Sequence, residues 1–459
     1  MRTIIITDRA FPSMIIMERK MNTENNFSGQ VRSQTLKKSD RQSSFLKGML
    51  SWRIMAVFML LLAGFSCSLI KMAPLFMAGR IDKQDYYAEV DFIYRRGLIL
   101  VPVQINGESQ TYHFILDTGA ALNVVSTAIA ERFAVGSRVD STMVDSQGNK
   151  EKIHFTTLKA ALNIGGLSFT GTGTAIFDLD RSPALSCYEA DGAIGMNLIR
   201  LIPYWHIDFQ RRKLILTDQE KRLPASSSPL ILPFKQSMQR IPEITLEWWD
   251  LRLPFRVDLG SAHGFVAPWD YWEKMRGRNQ EMPYVTGCGE IRGGALGVAE
   301  ESCSLSAILE NARLGKSLGR KIMINVYQNP FASVGTEFFC LFLVTFDWSK
   351  KEIRLTPWLE ESDPALSTFG FNFSWHEQDH CLYVNYIYRD SPAARAGMAV
   401  GDRILQINGL DLTDLNLNGY CRFFLEPKTL FGTEEIIQLR LRGENEDRII
   451  ELHKEVILQ

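Results

Sequence analysis

The sequence predicts a mainly β protein, with two pseudo-symmetric β lobes followed by a smaller β domain that has short helices. Between about Leu98 and Trp358 the chain consists of short apolar segments of strand length, separated by Gly and Pro, with few helical stretches. This long region also repeats itself once. Near Phe369 the pattern changes again, after the polar linker LEESDPALS, which indicates that a third domain begins there.

The internal repeat carries most of this prediction. The first copy, VPVQINGESQTYHFILDTGAALNVVS, ends at Ser126, and the second, IPEITLEWWDLRLPFRVDLGSAHGFVA, ends at Ala267. Each copy is a strand, a turn and a second apolar strand that closes on Asp-x-Gly and a small residue. Self-similarity of this kind indicates that one structural unit occurs twice.

Later landmarks repeat in the same order. An Ala-Ile-Gly segment ends at Gly195, 78 residues after Asp117, and a Ser-Val-Gly segment ends at Gly335, 77 residues after Asp258. An apolar run and a hairpin follow each segment, as IDFQRRKLILT and FDWSKKEIRLT, whose Asp lies 91 and 89 residues beyond those same two aspartates. Three matched landmarks favour two similar lobes over a chance pair of Asp-x-Gly turns.

The segment FILDTGAALNVVS, which contains Asp117-Thr118-Gly119-Ala120, resembles the active-site loop of retropepsin-like and pepsin-like aspartic proteases. Ala-Ile-Gly before an apolar run resembles the second signature of that family, which packs beneath the catalytic aspartate. The resemblance covers the region from Leu98 to Trp358. It implies two β-barrel lobes, 85–218 and 219–360, that each bring one aspartate to a pseudo-two-fold axis.

The implied catalytic residues are Asp117 and Asp258. Peptide hydrolysis by this route uses two carboxylates that share one proton across a water molecule, because like charges about 3 Å apart cannot both ionise. The ionised carboxylate takes a proton from the water, and the protonated one polarises the scissile carbonyl. A lone Asp-x-Gly is often only a turn, so the pairing carries the interpretation. No cofactor and no metal ion is implied.

The same resemblance implies supporting roles for Thr118, Gly119, Gly260 and Ser261. The glycines allow a tight turn that brings amide N–H groups near the carboxylates. The Thr118 hydroxyl is expected to bond to the opposite lobe, and Ser261 is expected to bond to the outer oxygen of Asp258.

Leu259 departs from the family pattern, because it stands where the first lobe has Thr118. We therefore expect the Thr118 hydroxyl to face an apolar side chain, at a cost of about 1–3 kcal/mol if it stays unsatisfied. His263 adds a titratable group without a counterpart in the first lobe. These departures keep an alternative open, in which the chain has the fold but not the reaction and serves as a peptide-binding or scaffold protein.

The stretch MVDSQGNKEKIHF, which starts at Met143, resembles a flap hairpin over the cleft with Gly148 near its tip; a plain surface hairpin is the alternative. TGCGEIRGG, residues 286–294, holds the matching position in the second lobe, and its glycines suggest a mobile loop that gates substrate. None of the seven cysteines forms a CxxC pair, which argues against a zinc or thioredoxin-like site. Cys288 and Cys303 are candidates for a disulfide bond across this loop if the compartment is oxidising.

The segment DSPAARAGMAVGDRILQINGLDL resembles the PDZ domains of bacterial proteases and predicts such a domain over residues 366–459. The resemblance implies a loop whose N–H groups bind a peptide's terminal carboxylate, formed by Gly370, Phe371, Asn372 and Phe373. A bound peptide would add a strand beside Phe373, against a helix around Leu412 to Phe424. The alternative is a domain that only packs against the protease region.

Residues 49–71 predict a signal or transmembrane anchor. Within them Ile54 to Ile70 is a run of 17 uncharged residues, near the lower limit for spanning a bilayer and also suited to a signal-peptide core. A buried core helix is the alternative. Basic residues precede the run, which favours a cytoplasmic N-terminus and globular domains in the bacterial periplasm or cell envelope. Cys67 is a candidate lipidation site.

Two further expectations concern the tail and the charge. Residues 1–48 have no hydrophobic period and read as a disordered tail or an over-called start, with Met49 as the alternative initiator. A net charge of −1 argues against nucleic-acid binding. The sequence thus predicts an exported, membrane-attached aspartic endopeptidase that acts on peptides or proteins, with a PDZ domain that recruits or gates them.

Overall fold

The computed structural model describes residues 5–6, 72–133, 135–145, 148–225, 229–290, 293–298, 302–317, 319–359, 363–442 and 446–459. Within these ranges no helix has the length and apolar character needed to cross a membrane. The predicted anchor, residues 49–71, and Cys67 lie outside the described residues, as does the predicted tail, residues 1–48, apart from 5–6; all of these stay predictions. Residues 74–459 belong to one structural unit.

The predicted mainly β class is confirmed. The strands that form the first lobe are Ile5–Ile6, Arg80–Ile81, Tyr87–Asp91, Ile93–Arg95, Leu98–Ile105, Thr111–Leu116, Asn123–Val125, Val139–Val144, Lys150–Leu158, Leu162–Ile164, Leu167–Thr170, Thr172–Ile176, Gly192–Ile194, Tyr204–Asp208 and Lys213–Thr217. Its helices are Thr127–Arg132, Pro183–Ser186 and Met196–Ile199.

The second lobe begins after a 3-10 turn at Glu220–Arg222. Its strands are Leu230–Pro233, Lys235–Gln236, Pro242–Trp248, Leu251–Val257, Phe265–Pro268, Tyr284–Gly289, Gly293–Gly294, Gly297–Val298, Ser302–Leu314, Arg320–Tyr327, Ser333–Val334, Phe342–Asp347 and Glu352–Pro357. Its helices are Trp269–Arg276 and Thr336–Phe339.

The C-terminal domain has strands Leu366–Thr368, Phe371–His376, Cys381–Tyr388, Arg403–Ile407, Leu410–Asp411, Ile436–Arg442, Arg448–His453 and Glu455–Leu458. Its helices are Pro392–Arg395, Leu417–Leu425 and Lys428–Phe431. We call the strand Phe371–His376 the groove strand and the helix Leu417–Leu425 the groove helix.

Local sequence accounts for the strands. Pro242–Trp248 alternates buried and half-buried residues, as expected for a strand with one face on a core. The apolar run at Leu98–Ile105 is buried along most of its length, because neighbouring elements cover both faces. Asn106 and Gly107 follow it, both with positive φ, and turn the chain into the antiparallel strand Thr111–Leu116.

Each lobe places its Asp-x-Gly loop in the same topology. In the first lobe, Thr111–Leu116 runs parallel to Gly192–Ile194, which runs antiparallel to Asn123–Val125. The Asp-x-Gly loop connects the two outer strands of this set. The Ala-Ile-Gly landmark of the sequence is therefore the central strand directly beside the loop.

The second lobe repeats this arrangement. Leu251–Val257 runs parallel to Ser333–Val334, which runs antiparallel to Phe265–Pro268. The repeat predicted from the sequence therefore corresponds to a duplicated structure.

The lobes share a six-stranded sheet to which each contributes three strands. At its centre Tyr204–Asp208 pairs antiparallel with Phe342–Asp347. These are the first strands of the two repeated hairpins, and between them His206 Nδ1 lies 2.8 Å from Thr345 Oγ1. The apolar cores of both lobes merge into one cluster over this sheet.

The C-terminal domain continues the sheet of the second lobe. Tyr284–Gly289 pairs antiparallel with Cys381–Tyr388, so that one 14-stranded sheet runs through both. The N–H of Arg389 also donates to the carbonyl of Thr286 at 2.7 Å.

Two disulfides link parts of this unit. Cys288–Cys303 joins residues directly opposite each other on paired strands of the second lobe, which is the pairing that the sequence left open. Cys187–Cys421 joins the first lobe to the groove helix across 234 residues of sequence. No local pattern in the sequence indicates this second bond.

Replacing Cys187 and Cys421 together by Ser is expected to lower the stability of the unit by about 2–4 kcal/mol, because the cross-link restricts the unfolded chain. Thermal unfolding of the oxidised protein measures the change. Cys340→Ser is the control, since Cys340 belongs to neither disulfide. Identical unfolding of the double variant and the wild type would contradict a formed bond.

Candidate active site

Asp117 follows the strand Thr111–Leu116 directly and is completely buried. Its N–H donates to the carbonyl of Ile194 at 3.0 Å. Its Oδ1 accepts hydrogen bonds from the N–H groups of Gly119 at 2.8 Å and Ala120 at 2.9 Å. The loop thus holds one carboxylate oxygen firmly in place through backbone donors.

Asp258 occupies the equivalent position in the second lobe and is also completely buried. Its N–H donates to the carbonyl of Val334 at 2.9 Å, as the N–H of Asp117 does to Ile194. Both aspartates therefore end a strand beside the central strand of their lobe.

The short helices beneath the two loops make matching contacts. The N–H of Met196 donates to the carbonyl of Ala120 at 2.8 Å, and the N–H of Thr336 donates to the carbonyl of Ser261 at 2.9 Å. Ala120 and Ser261 each lie three residues after their aspartate. The second signature thus supports both loops in the same way.

The two loops meet at Gly260. A Cβ atom on Gly260 would lie 2.4 Å from Cγ of Asp117 and 2.7 Å from both of its carboxylate oxygens. Only glycine allows this approach, so the second loop packs directly on the carboxylate of the first. The Asp117 carboxylate thus lies at the junction of the two lobes.

Burial, and then the charge of Asp258, raises the pKa of Asp117 well above its usual range. Hydrogen bonds from Ala120 and Gly119 oppose this shift but do not cancel it. Oδ2 of Asp117 is buried and has no hydrogen-bond partner among the described residues. This environment favours the protonated acid and suits a carboxyl group that shares a proton.

The expectation that the Thr118 hydroxyl faces an apolar side chain without a hydrogen-bond partner is wrong. Thr118 Oγ1 donates to the carbonyl of Val257 at 2.8 Å and accepts from the N–H of Leu259 at 3.0 Å. The opposite lobe supplies both partners from its backbone. Leu259 therefore removes its own hydroxyl from the interlobe contact without depriving Thr118 of a partner.

The other predicted support residues lie in the same buried region. Ser261 is completely buried, and its Oγ lies 3.5 Å from the N–H nitrogen of His263. The hydrogen bond predicted from Ser261 to Asp258 stays a prediction. Gly97 also supports the second loop and was not predicted: its carbonyl accepts a hydrogen bond from Thr336 Oγ1, and it packs closely on Ala262.

The candidate flap is a hairpin formed by Val139–Val144 and Lys150–Leu158. Gly148 lies in its turn with φ 84°, and its N–H donates to the carbonyl of Asp145 at 3.1 Å. The buried Asp145 carboxylate accepts the N–H of Leu296, two residues after the second-lobe loop, at 3.1 Å. Gly294, the last residue of that loop, packs on the same carboxylate. The hairpin and that loop therefore touch, and their role as gates stays a prediction.

Asp117→Asn is expected to raise the melting temperature near neutral pH by roughly 2–4 °C or more. The raised pKa of Asp117 means that its contribution to stability is present at acid pH and is lost as the pH rises and the buried group ionises beside Asp258. Asn carries no charge, so the gain should vanish near pH 3, where the acid is protonated. Thermal unfolding across pH measures it; an equal gain at every pH would contradict this electrostatic cause.

The candidate peptide groove differs in detail from its prediction. The Gly370 N–H donates to Thr368 Oγ1 at 3.0 Å, so it is not available for a carboxylate. A Cβ on Gly370 would lie 2.1 Å from Oγ of Ser391, and its φ is +99°, so this turn requires glycine. The remaining predicted residues, Phe371, Asn372 and Phe373, begin the groove strand.

The groove strand pairs on one side with Cys381–Tyr388, and the groove helix faces it. Tyr420 of that helix stacks on Trp375 of the strand, with ring centroids 6.2 Å apart. The helix begins later than predicted, because Asn416 caps it by accepting the N–H of Gly419 at 2.9 Å.

Within the described ranges no group of three or more His, Cys, Asp or Glu side chains is placed to hold a metal ion. The groups that the described site presents are the carboxyl groups of Asp117 and Asp258, the hydroxyls of Thr118 and Ser261, and backbone amides. Two lobes that each present an aspartate from the same strand set define the class of two-lobed, aspartic-protease-like folds.

Comparisons with known proteins agree with this class. Residues 101–198 match the family model described as aspartyl protease, and residues 383–425 match the model described as PDZ domain. The predicted architecture, an aspartyl protease region followed by a C-terminal PDZ domain, is confirmed. Among solved structures, the crystal structure of Basic 7S globulin from soybean is similar with a TM-score of 0.35 and 9% identity, over 59% of this chain and 95% of that chain.

Proposed function

We propose that this protein is an exported, membrane-attached aspartic endopeptidase whose PDZ domain recruits or gates peptide substrates. The contact of Gly260 with the Asp117 carboxylate carries the proposal. It brings the second Asp-x-Gly loop onto the first carboxyl group, as a dyad that shares one proton requires.

In this mechanism one carboxyl group of the dyad is protonated and the other ionised. The raised pKa of Asp117 supports a shared proton, because burial and the neighbouring charge both disfavour two carboxylates. The ionised group takes a proton from the attacking water while the protonated group donates a hydrogen bond to the scissile carbonyl. The titration belongs to the pair and not to either residue.

Substrate entry requires a rearrangement. Asp117 and Asp258 are both completely buried, so a polypeptide reaches them only after the cleft opens. The hydrogen bond from the N–H of Leu296 to Asp145 joins the candidate flap to the second lobe directly after the second-lobe loop, and opening of the cleft would break it.

Export is supported by the disulfides. Cys187–Cys421 and Cys288–Cys303 require an oxidising compartment to form and persist. The apolar run at Ile54 to Ile70, with basic residues before it, supplies a means of export and attachment. Globular domains in the periplasm or cell envelope fit both observations.

A second candidate is a peptide-binding or scaffold protein without catalysis. Leu259 favours it, because the second loop lacks the hydroxyl that the first loop has. The Thr118 contacts weaken this argument, since the backbone of the second lobe satisfies the hydroxyl.

Incubation with an unfolded polypeptide across the acid range separates these candidates. New peptide termini, detected by mass spectrometry and most abundant at acid pH, are expected for the peptidase. Intact polypeptide at every pH, together with measurable peptide binding, would establish the scaffold instead.

A further inference from the structure

A cavity of about 430 Å³ lies where the PDZ domain meets both protease lobes. We call it the interdomain cavity. The groove strand contributes Phe371 to Ser374, and the groove helix contributes Tyr420 and Phe424. Other PDZ residues line it as well, but further walls come from the protease region, so the predicted peptide groove is not a property of the PDZ domain alone.

The first lobe forms one of these walls. Residues 182–185 and Tyr188 line the cavity, and the adjacent Cys187 is bonded to Cys421 of the groove helix. The Tyr188 ring meets the Phe424 ring edge-on, with centroids 5.9 Å apart. The covalent bond and the ring contact fix this wall against the groove helix.

The second lobe forms another wall with Ala262 and His263. These residues belong to the same loop as Asp258, Gly260 and Ser261. A ligand in the interdomain cavity would therefore touch the loop that carries the second aspartate.

Arg96 contributes a positively charged side chain to the lining of this cavity. Its side chain is solvent-accessible and lines the cavity, and its guanidinium lies 4.1 Å from the centre of the Phe424 ring. The next residue upstream, Arg95, is paired with Glu189 at 3.1 Å. Arg96 has no acidic partner within ion-pair distance among the described residues.

The positive charge of Arg96 is available to pair with a ligand. Surrounding protein atoms desolvate the guanidinium and lower the pKa of Arg96, although part of the side chain stays in contact with solvent; an arginine stays charged at physiological pH. Glu290 also lines the cavity, and its carboxylate accepts the Tyr383 hydroxyl at 2.7 Å. An ionised guanidinium that lies over an aromatic ring and faces a cavity favours a carboxylate partner.

We propose that the interdomain cavity binds the C-terminus of a polypeptide and that Arg96, from the first protease lobe, pairs with its terminal carboxylate. The peptide adds a strand to the free edge of the groove strand. The aromatic rings of Phe371, Phe373 and Phe424 surround its last side chains. This inference rests on the proposed peptide-recruiting role and extends it, because a protease-lobe residue becomes a determinant of PDZ specificity.

The test uses the full-length, oxidised protein and fluorescent peptides with apolar C-termini, each made with a free carboxylate and with a terminal amide. Fluorescence anisotropy gives Kd for the wild type, Arg96→Gln and Arg96→Lys. Arg422→Gln is the matched control, because Arg422 lies on the groove helix but does not line this cavity. Thermal unfolding verifies that each variant is folded.

Wild type is expected to prefer the free carboxylate over the amide. Arg96→Gln should weaken binding of the free-carboxylate peptide about tenfold and leave the amide unchanged. Arg96→Lys should lose less, since it keeps the charge without the planar fork, and it tests the proposal if Arg96→Gln does not fold. Arg422→Gln should bind as the wild type does.

Two results would overturn the inference in distinguishable ways. If Arg96→Gln prefers the free carboxylate as strongly as the wild type, Arg96 does not bind the terminal carboxylate. Recruitment of peptides by the PDZ domain would still be supported in that case. If the wild type binds no peptide or ignores the terminal group, recruitment of C-termini fails together with the role of Arg96. Neither result bears on hydrolysis by the dyad.

Discussion

Asp258→Asn is expected to lower kcat for peptide hydrolysis by about 10³-fold or more, and Asp117→Asn is expected to do the same. Each variant removes one carboxylic acid from a pair that must hold one proton and one negative charge together. Asn at either position cannot exchange that proton, so the remaining aspartate has no partner with which to activate water and polarise the carbonyl.

The fold should survive both changes. Asn has nearly the shape of Asp, and at position 117 its side-chain oxygen retains the acceptor for the N–H groups of Gly119 and Ala120. Loss of activity without a fall in the melting temperature therefore reports on the chemistry and not on misfolding. Initial rates at saturating substrate, measured in the acid range, give kcat for each variant.

Asp250→Asn is the matched control for the second lobe. Asp250 lies in an exposed turn and pairs with Arg278 at 3.0 Å, so the variant removes a carboxylate far from the chemistry and should keep wild-type kcat. Equal kcat for the wild type and Asp117→Asn would contradict the dyad outright. Loss of activity in only one of the two aspartate variants would also contradict it, because the mechanism needs both.

Gly260→Ala is expected to lower kcat about 10²-fold, the effect that a displacement of about 1 Å has on reacting groups. The added methyl group would lie 2.4 Å from Cγ of Asp117, closer than any real contact. The two loops must therefore separate, and the dyad separates with them. Crowding of this kind in a packed interior also costs about 1–3 kcal/mol of stability.

Gly264→Ala supplies the control for a methyl group in the same loop. Its Cβ would first meet Oε2 of Glu337 at 3.3 Å, at the end of a flexible side chain that is able to move. Rates and thermal unfolding of both variants, measured side by side, isolate the effect of the contact with Asp117. Wild-type kcat in Gly260→Ala would mean that the two loops do not meet in the active protein.

Several features of the site follow from local sequence. The two Asp-x-Gly loops end matching strands, and the Gly195 and Gly335 landmarks follow the central strands beside them. Such strands are encoded in nearby apolar residues and turn signals, so a repeated pattern predicts a repeated structure. The PDZ domain was predictable for the same reason, because its motif is continuous in the chain.

The error about Thr118 has a physical cause. The identity of Leu259 indicates which side chain is present, but the actual partners of Thr118 are the carbonyl of Val257 and the N–H of Leu259 itself. Every residue except proline offers such backbone groups, and only their position in space decides whether they are used. The hydrogen bond from the N–H of Gly370 to Thr368 Oγ1 could not be predicted for the same reason, because it depends on the position of a backbone group in space.

Residues close together in the chain are enough to predict the duplicated lobes, the two aspartates and the C-terminal PDZ domain. The tertiary structure alone decided that Cys187 meets Cys421 and that Arg96 lies on Phe424 of the PDZ domain. Contacts between residues hundreds of positions apart arise from domain docking, which depends on the shapes of whole surfaces and leaves no periodic signal along the chain.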